Sequence, residues 1–382
     1  MADILARAFE LWRRGDYARR RVAIGEIARA TGYSRATMEN SVDALLKPFT
    51  SEALTSMAAR IASKSRSERP RTVGFIAAGN VAGAGIHEIA LALIAGAGLV
   101  IKTASSEPVF FAEFARTIAE IDPHAGAHIE VRAWDRSHTE LTSTLIAKCE
   151  LVVAYGDDNT MRSLRRSNVI EFGSRVSAAV IVLGAISPSA VNRVAESLAR
   201  DVALFEQLGC LSPHQVFVVS LDSNAGRDFA VAMAAALERI GESMPPARIP
   251  LRDAAEIRGV RERVRWRAIA GEPVELFEGR GLEWTVVYDR RVDMNEPFKI
   301  SPGFRTVHVT AMRNIAELRE CLASVSGRLE AMAIAGDEAG QIRSAIAAMR
   351  IPYVCAPGEM QSPPLDWRHG GGAFIDAMMG AR

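Results

Sequence analysis

Thr72-Val-Gly-Phe-Ile-Ala-Ala-Gly-Asn-Val-Ala-Gly-Ala-Gly-Ile-His-Glu-Ile-Ala-Leu-Ala-Leu-Ile-Ala-Gly-Ala-Gly-Leu-Val-Ile-Lys102 is the stretch that sets the fold. Its first five residues read as a short buried strand. A glycine-rich turn follows, then an apolar run from about Ala84 to Ala97 that reads as a helix, then a second strand at Leu99-Val-Ile101. The alternation continues outward. A helix is expected from Pro108 to Ile121, a strand at Ile129-Glu-Val-Arg132, a helix near Ser137 to Lys148 and a strand at Leu151-Val-Val-Ala-Tyr155. A helix near Asn159 to Arg166 and a strand at Ala179-Val-Ile-Val-Leu183 complete the run. Strands that alternate with helices of about 10–15 residues signal βαβ units and a parallel sheet, with ligands at the carboxyl ends of the strands. This half of the chain reads as a nucleotide-binding domain.

The flanks differ. Residues 1–68 read as helical throughout, with the polar stretch Ser63 to Pro70 as a connector. The expected divisions are a helical segment 1–68, a nucleotide-binding domain 69–200, a catalytic domain 201–356 and a tail 357–382 rich in Pro and Gly. The catalytic domain carries a helix from Ala190 to Glu206, then Gln215-Val-Phe-Val-Val219 and a helix from Ala225 to Ile240. Residues 243–280 read as irregular around a basic helix from Arg258 to Arg267. Strand-like runs resume at Glu283 to Tyr288, Thr306 to Thr310 and Glu330 to Ile334, before a helix near Glu338 to Met349.

With 382 residues, a net charge of +1, 49% hydrophobic and 24% charged residues, the chain has the balance of an ordinary globular protein large enough for two domains. Nothing in it calls for a polyanionic partner. The longest apolar stretch, Ile86 to Ile101, holds His87 and Glu88 and is broken by Gly96 and Gly98. It falls short of the roughly 20 apolar residues of a membrane span. The N-terminus lacks the pattern of a secretory leader, so a cytoplasmic protein is expected. Four scattered cysteines without a CxxC or a zinc-type Cys/His spacing argue against a disulfide framework and a metal site.

Cys210 stands apart from the other three. It lies in Phe205-Glu-Gln-Leu-Gly-Cys-Leu-Ser-Pro-His-Gln-Val-Phe-Val-Val219, on a small-residue turn between a helical and a β run. A thiol on such a turn can be deprotonated and aimed, whereas Cys149, Cys321 and Cys355 lie in apolar segments and read as core. Position alone leaves nucleophile and packing residue equally open. Gly79-Asn-Val-Ala-Gly-Ala-Gly85 follows a strand and opens a helix, a setting in which backbone N–H groups favour phosphate. It is not the dinucleotide fingerprint, because Glu88 falls at the third glycine, and a tight strand-to-helix turn is the other reading. Asn80 at that strand end can donate to an oxyanion or merely close a turn. Lys102, directly after the next strand, is either a solvated charge or a ribose or phosphate ligand. Ala23 to Met38 superficially matches a helix-turn-helix beside Arg19-Arg-Arg21, but the balanced charge and the α/β layers favour no nucleic acid partner.

Together these segments resemble, in order from about residue 72 to 372, the acyl-CoA reductase family typified by the fatty acid reductase of bacterial luminescence. That family is a branch of the aldehyde dehydrogenase superfamily. The resemblance implies an aldehyde-dehydrogenase-like α/β fold, with a Rossmann-type cofactor domain plus an α/β catalytic domain and an N-terminal helical segment. Ala78-Gly-Asn-Val-Ala82 is similar to the family's glycine-asparagine segment, Lys102 to its ribose lysine, and Ala154-Tyr-Gly-Asp-Asp-Asn-Thr160 to the loop near the pyrophosphate, through Gly156 and Asp157. Asp201 to Pro213 resembles the nucleophile segment and is the most specific match. Pro363-Pro-Leu-Asp-Trp-Arg-His-Gly370 resembles the C-terminal signature, and Glu296-Pro-Phe298 an acidic ribose contact. Two departures are Ala82, where a proline is expected, and Gly370, where an acidic residue is common. Ser105 stands near the place of a carboxylate that many NAD-preferring aldehyde dehydrogenases use for the adenosine ribose, which favours NADPH over NADH. Glu171 falls where hydrolytic members keep their general base.

The implied chemistry is attack of Cys210 on an acyl thioester, either acyl-CoA or acyl-protein, and reduction of the acyl-enzyme to an aldehyde. Asn80 and the Cys210 N–H would hold the oxyanion. The implied partners are an acyl-delivering enzyme and further copies of the chain. Two rivals stay open: oxidation of an aldehyde to an acid with Glu171 as base, and a non-catalytic DNA-binding or regulatory protein using the N-terminal helices.

Overall fold

The computed structural model describes residues 1–64, 69–184, 188–336 and 339–380. The chain falls into two compact units. One comprises Met1–Thr31, Ser41–Ser174 and Ser362–Arg382; the other comprises Gly32–Asn40 and Arg175–Gln361. Much of the expected connector, residues 65–68, lies outside the described residues.

The first unit opens with α1 (Ala2–Arg13), α2 (Ala18–Thr31), α3 (Arg35–Leu46, whose first turns belong to the second unit) and α4 (Ser51–Ala62). Then come β1 (Thr72–Ile76), α5 (Ile86–Ala95), β2 (Gly98–Thr103), α6 (Phe110–Ile121), the single turn α7 (Pro123–Gly126) and β3 (Ile129–Ala133). They are followed by α8 (Thr139–Lys148), β4 (Leu151–Tyr155), α9 (Asp158–Leu164) and β5 (Val169–Phe172). The five strands form one parallel sheet in the order β3-β2-β1-β4-β5. The order reverses between β1 and β4, and a crevice outside the carboxyl ends at such a point is where doubly wound sheets hold ligands. Lys102, Ile76, Ala154 and Glu171 share one register row across four of the strands and so share one face of the sheet. On that face Ile76, Val152 and Ala154 pack with Leu145 and Ile146 of α8 and Met161 of α9.

The N-terminal helices are bound into this unit by apolar and charged contacts. Phe9 of α1 stacks on Phe49 at 4.2 Å, and the Trp12 indole donates to Thr117 of α6 at 2.9 Å. The basic cluster is spent internally: Arg19 pairs with Glu113 at 2.9 Å and with Glu120, and buried Arg20 pairs with Asp43 at 2.7 Å and donates to the Trp12 carbonyl. Two of the three cations that suggested a nucleic acid contact therefore serve helix packing.

The second unit runs β6 (Val176–Val182), α10 (Pro188–Ala203), β7 (Pro213–Val219), α11 (Ala225–Ser243), α12 (Leu251–Ile269), β8 (Val274–Glu278) and β9 (Thr285–Asp289). It continues with β10 (Thr306–Met312), α13 (Ile315–Ala323), β11 (Leu329–Gly336), α14 (Ala339–Ile346) and β12 (Tyr353–Cys355). The sheet order is β12-β11-β6-β7-β10-β9-β8, parallel except for β8. Because β6 hydrogen-bonds to β7 and β11, the units divide at Ser174/Arg175 rather than near residue 200. Residues 243–280 are more regular than their sequence suggests. In α12 only Ala254, Ile257, Val260, Arg261 and Val264 are buried, and Arg261 spends its guanidinium on Thr285 and on the carbonyls of Gly281 and Trp284. A stripe that narrow, with a buried arginine in it, gives little helical periodicity.

The C-terminal segment returns to the first unit as α15 (Ala373–Met378), with Phe374 against Phe75. Ahead of it, His369 is stacked between Trp367 (4.1 Å) and Phe172 (3.9 Å), and its Nδ1 meets Glu88 of α5 at 2.8 Å. Burial would push the Glu88 carboxyl up, but the His369 ring overrides it and the net shift is downward. This buried pair fastens the His-Gly-Gly segment to the helix that follows the glycine-rich turn. Among the described residues no helix is long and apolar enough to cross a membrane.

Candidate active site

In the first unit the candidate residues gather at the carboxyl ends of β1, β2, β4 and β5. Asn80 is exposed in the turn after β1. Gly79 beside it must be glycine, since a Cβ there would lie 2.0 Å from the Ser106 hydroxyl and 2.9 Å from the Ala104 side chain. The Asn80 turn thus packs against the Ala104–Glu107 turn that presents exposed Ser105. Lys102 is 7% exposed, and burial lowers its pKa while Asp135 opposes the shift. A carboxylate does stand two residues past Ser105. It is Glu107, which turns inward, accepts the Val109 and Phe110 N–H groups at 3.0 and 2.8 Å to cap α6, and is pushed up to about 7 by burial. The exposed side of the turn, where Ser105 lies, therefore does not carry the Glu107 carboxylate.

At the end of β4, Gly156 lies against Thr160, whose Cβ would be 3.1 Å from an added methyl. Asp157 caps α9 through a 2.7 Å bond from the Thr160 N–H, which lowers its pKa. Its carboxylate already meets the positive end of that helix.

Glu171, the candidate base, is held. Arg165 grips it with two bonds, Nε to Oε1 at 2.8 Å and Nη2 to Oε2 at 3.1 Å. The Arg165 hydrogen bond holds the carboxyl below the usual range, against a smaller opposing effect of burial. Both oxygens accept from one planar guanidinium, so an in-plane lone pair of each is occupied.

In the second unit Cys210 sits in the turn before β7, at the amino end of that strand, and is partly exposed. The other three thiols are buried, and burial pushes Cys149 and Cys321 up to about 11 and Cys355 up to about 12. The Cys210 carbonyl accepts from Ser177 at 2.6 Å, and its N–H makes no hydrogen bond among the described residues. The chain reaches this turn by an unusual path. Phe205, Glu206 and Gln207 have φ of 53°, 50° and 62°, and Gly303, Phe304 and Arg305 have φ of 83°, 50° and 58°. Each non-glycine residue in that region costs roughly 1–2 kcal/mol.

The two left-handed segments face each other and share their bonds. The Phe304 N–H donates to the Glu206 carbonyl at 2.8 Å. Arg305 forks onto Glu206 at 3.0 and 2.7 Å, with each side chain 1% exposed. Gln207 donates to the carbonyls of Pro213 and Thr306 and accepts from the Thr306 N–H, all at 2.8 Å. Neither segment carries a glycine-rich or asparagine signature that would reveal its path in the sequence; the residues lie 99 positions apart.

Glu296 is exposed and paired with Lys299 at 2.9 Å. Phe298 differs from expectation: it is 5% exposed in the hydrophobic core with its ring 6.1 Å from Phe217, because burying an aromatic there outweighs presenting it. Its neighbours tie the Glu296 loop to the chain around Cys210, through Lys299 N–H to Gln215 at 2.7 Å and Ser301 N–H to His214 Nδ1 at 3.0 Å.

Residues 1–380 match the acyl-CoA reductase (LuxC) family. A long-chain acyl-protein thioester reductase of Photorhabdus laumondii is 24% identical over 179 residues, 45% of this chain and 36% of that protein. One from Photorhabdus luminescens is 22% identical over 229 residues, 54% of this chain and 47% of its own length, so the matched stretches span less than half of these relatives. Among solved structures, aldehyde dehydrogenase 21 from Physcomitrella patens superposes with a TM-score of 0.72 at 14% identity, over 99% of this chain and 84% of its own. The succinic semialdehyde dehydrogenase of Streptococcus pyogenes, solved with NADP+, gives 0.66 at 14% identity, over 93% and 86%. The chain belongs to the acyl-CoA reductase (LuxC) family and has the aldehyde dehydrogenase fold.

Proposed function

We propose that this chain reduces an acyl thioester, a fatty acyl-CoA or an acyl-protein, to an aldehyde through an acyl group carried on Cys210. The observation that carries the proposal is the contrast among the thiols: Cys210 is partly exposed in a braced turn, and the other three are buried with raised pKa values. The names of the relatives, long-chain acyl-protein thioester reductases, support the substrate class.

Cys210 attacks the carbonyl as the thiolate, a C–S bond forms, and the CoA or carrier thiolate leaves. The Asn80 amide and the Cys210 N–H donate to the oxyanion, a contribution of about 3 kcal/mol per donor in comparable sites. By the family resemblance, Lys102 and the Ser105 turn would hold the adenosine ribose of the cofactor, Gly156 and Asp157 would border its pyrophosphate, and Glu296 would take the second ribose. NADPH, when bound, would supply the hydride that brings the acyl group to the aldehyde level, leaving as NADP+. Collapse of the resulting thiohemiacetal returns the Cys210 thiolate. The inward turn of Glu107 and the neutral Ser105 leave the Ser105 turn without an outward carboxylate to repel a 2′-phosphate, which favours NADPH over NADH. Aldehyde oxidation, the rival direction, needs a base to activate water, and both oxygens of Glu171 are held by Arg165.

The test is intact mass after incubation with a panel of acyl-CoAs. Wild type and the Cys149→Ala, Cys321→Ala and Cys355→Ala variants gain one acyl group, and Cys210→Ala gains none. An adduct that persists in Cys210→Ala overturns the mechanism.

A further inference from the structure

We infer that Glu206 and Arg305 are positioning residues for Cys210, acting as a clasp that fixes the backbone from which the thiol is presented. Three features of the second unit carry the inference. Of the six non-glycine residues with positive φ among those described, five lie in the two segments the clasp joins, Phe205–Gln207 and Phe304–Arg305. Nothing in the local sequence favours that backbone, so contacts from outside each segment must hold it. The first segment ends three residues before Cys210, and its last member, Gln207, reaches across the nucleophile turn to the Pro213 carbonyl. The turn is thus pinned on both sides of Cys210 by one left-handed segment, and that segment is pinned by Arg305.

The pair is closed. Arg305 is fully buried, and among the described residues its guanidinium bonds go to Glu206 alone, through Nε and Nη2, with Nη1 left without a partner. Glu206 has a second grip, the Ala247 N–H at 3.2 Å. Removing either partner strands a buried charge, which is far more disruptive than the loss of a surface pair. The released energy has one nearby outlet: Phe205, Glu206 and Gln207 can relax towards the right-handed region and carry Leu208, Gly209 and Cys210 with them. The clasp also joins the two functional stretches of this unit, because Ser301 and Thr306, which follow the Glu296 loop, bond to the same Gln207.

The inference rests on Cys210 being the nucleophile of the proposed reaction, but its test needs neither acyl-CoA nor cofactor. The full-length Glu206→Gln, Arg305→Lys and Arg305→Ala variants are alkylated with iodoacetamide, and the rate at Cys210 is read per folded molecule by peptide mass. Continued protection of Cys149, Cys321 and Cys355 reports an intact fold. Glu206→Gln and Arg305→Ala should alkylate Cys210 at a rate changed by about tenfold or more, the effect of a shift of about 1.4 kcal/mol in the loop's preferred state. Arg305→Lys, which keeps the charge and one of the two bonds, should recover part of that change. For acyl-CoA the rate of acylation should fall with apparent affinity unchanged. If Arg305→Ala does not fold, Arg305→Lys and Glu206→Gln decide the matter. A wild-type alkylation rate at Cys210 in the folded variants, whatever their loss in melting temperature, overturns the inference. If alkylation changes while no acyl adduct forms in wild type, the clasp stands and the proposed reaction falls.

Discussion

If Cys210 carries the acyl group as proposed, replacing Arg165 with alanine should speed hydrolysis of the acyl-enzyme. In the wild-type chain both oxygens of Glu171 accept from the Arg165 guanidinium, at 2.8 and 3.1 Å, and the Arg165 bond keeps the carboxyl below its usual range. Without the guanidinium the pKa rises out of its lowered range, with partial burial now the remaining influence, and the carboxylate still stays ionised at pH 7. What changes is its freedom to turn and to accept a proton from water. Because the Arg165 side chain is 68% exposed, fold stability should change little. A positioned general base accelerates water attack by about 10²–10⁴-fold, so acyl-Cys210 should hydrolyse at least about 100-fold faster in Arg165→Ala. The assay forms the acyl-enzyme from acyl-CoA without reductant and follows decay of the adduct by intact mass, with the free acid measured alongside. Arg165→Ala/Glu171→Gln should restore the wild-type lifetime, and Glu171→Gln alone should keep most acyl-CoA reduction. An Arg165→Ala acyl-enzyme as long-lived as that of wild type would refute the reasoning.

Asn80→Ala should lower the single-turnover rate of acyl reduction by about 10²-fold with the fold intact, and an unchanged rate removes Asn80 from the mechanism. Ser105→Glu should weaken NADPH more than NADH by placing an anion on the exposed side of the turn; equal responses would show that Ser105 does not line that pocket. Asp201, which accepts the Gly358 and Met360 N–H groups at 2.6 and 3.2 Å, has its carboxyl pushed up to about 7 by burial. Since the folded value lies above the unfolded one, folding takes up a proton, and stability falls as pH rises from about 4 to 7, by about 4 kcal/mol at most. The melting difference between wild type and Asp201→Asn should therefore favour wild type near pH 5 and shrink or reverse by pH 8; a difference independent of pH would contradict the buried, raised carboxyl.

The parts of the fold legible in the sequence are those in which one local signal decides. Thr72 to Lys102 alternates strictly between a β-branched run and an apolar helix, and the structure has β1, α5 and β2 there. Four-residue β5 was not legible, because Val-Ile-Glu-Phe is too short for periodicity and its polar Glu171 faces a salt bridge rather than solvent. The boundary near residue 200 moved to Ser174/Arg175 because strand pairing, a long-range property, assigns β6 to the second sheet. At the site, Cys210 was marked by its small-residue turn. The Glu206–Arg305 clasp was not, since Phe, Glu and Gln are poor markers of a left-handed backbone and the pairing partner lies 99 residues away. Likewise Ser105 pointed to a missing ribose anion, but only the structure shows that Glu107, two residues on, is turned inward.

The most direct measurement is to isolate acyl-Cys210 enzyme free of excess acyl-CoA, mix it with NADPH and quantify adduct, aldehyde and acid together. Loss of the acyl mass in step with one equivalent of aldehyde, dependent on NADPH, is the expected result. Decay to the free acid at the same rate with and without NADPH would contradict reduction at Cys210.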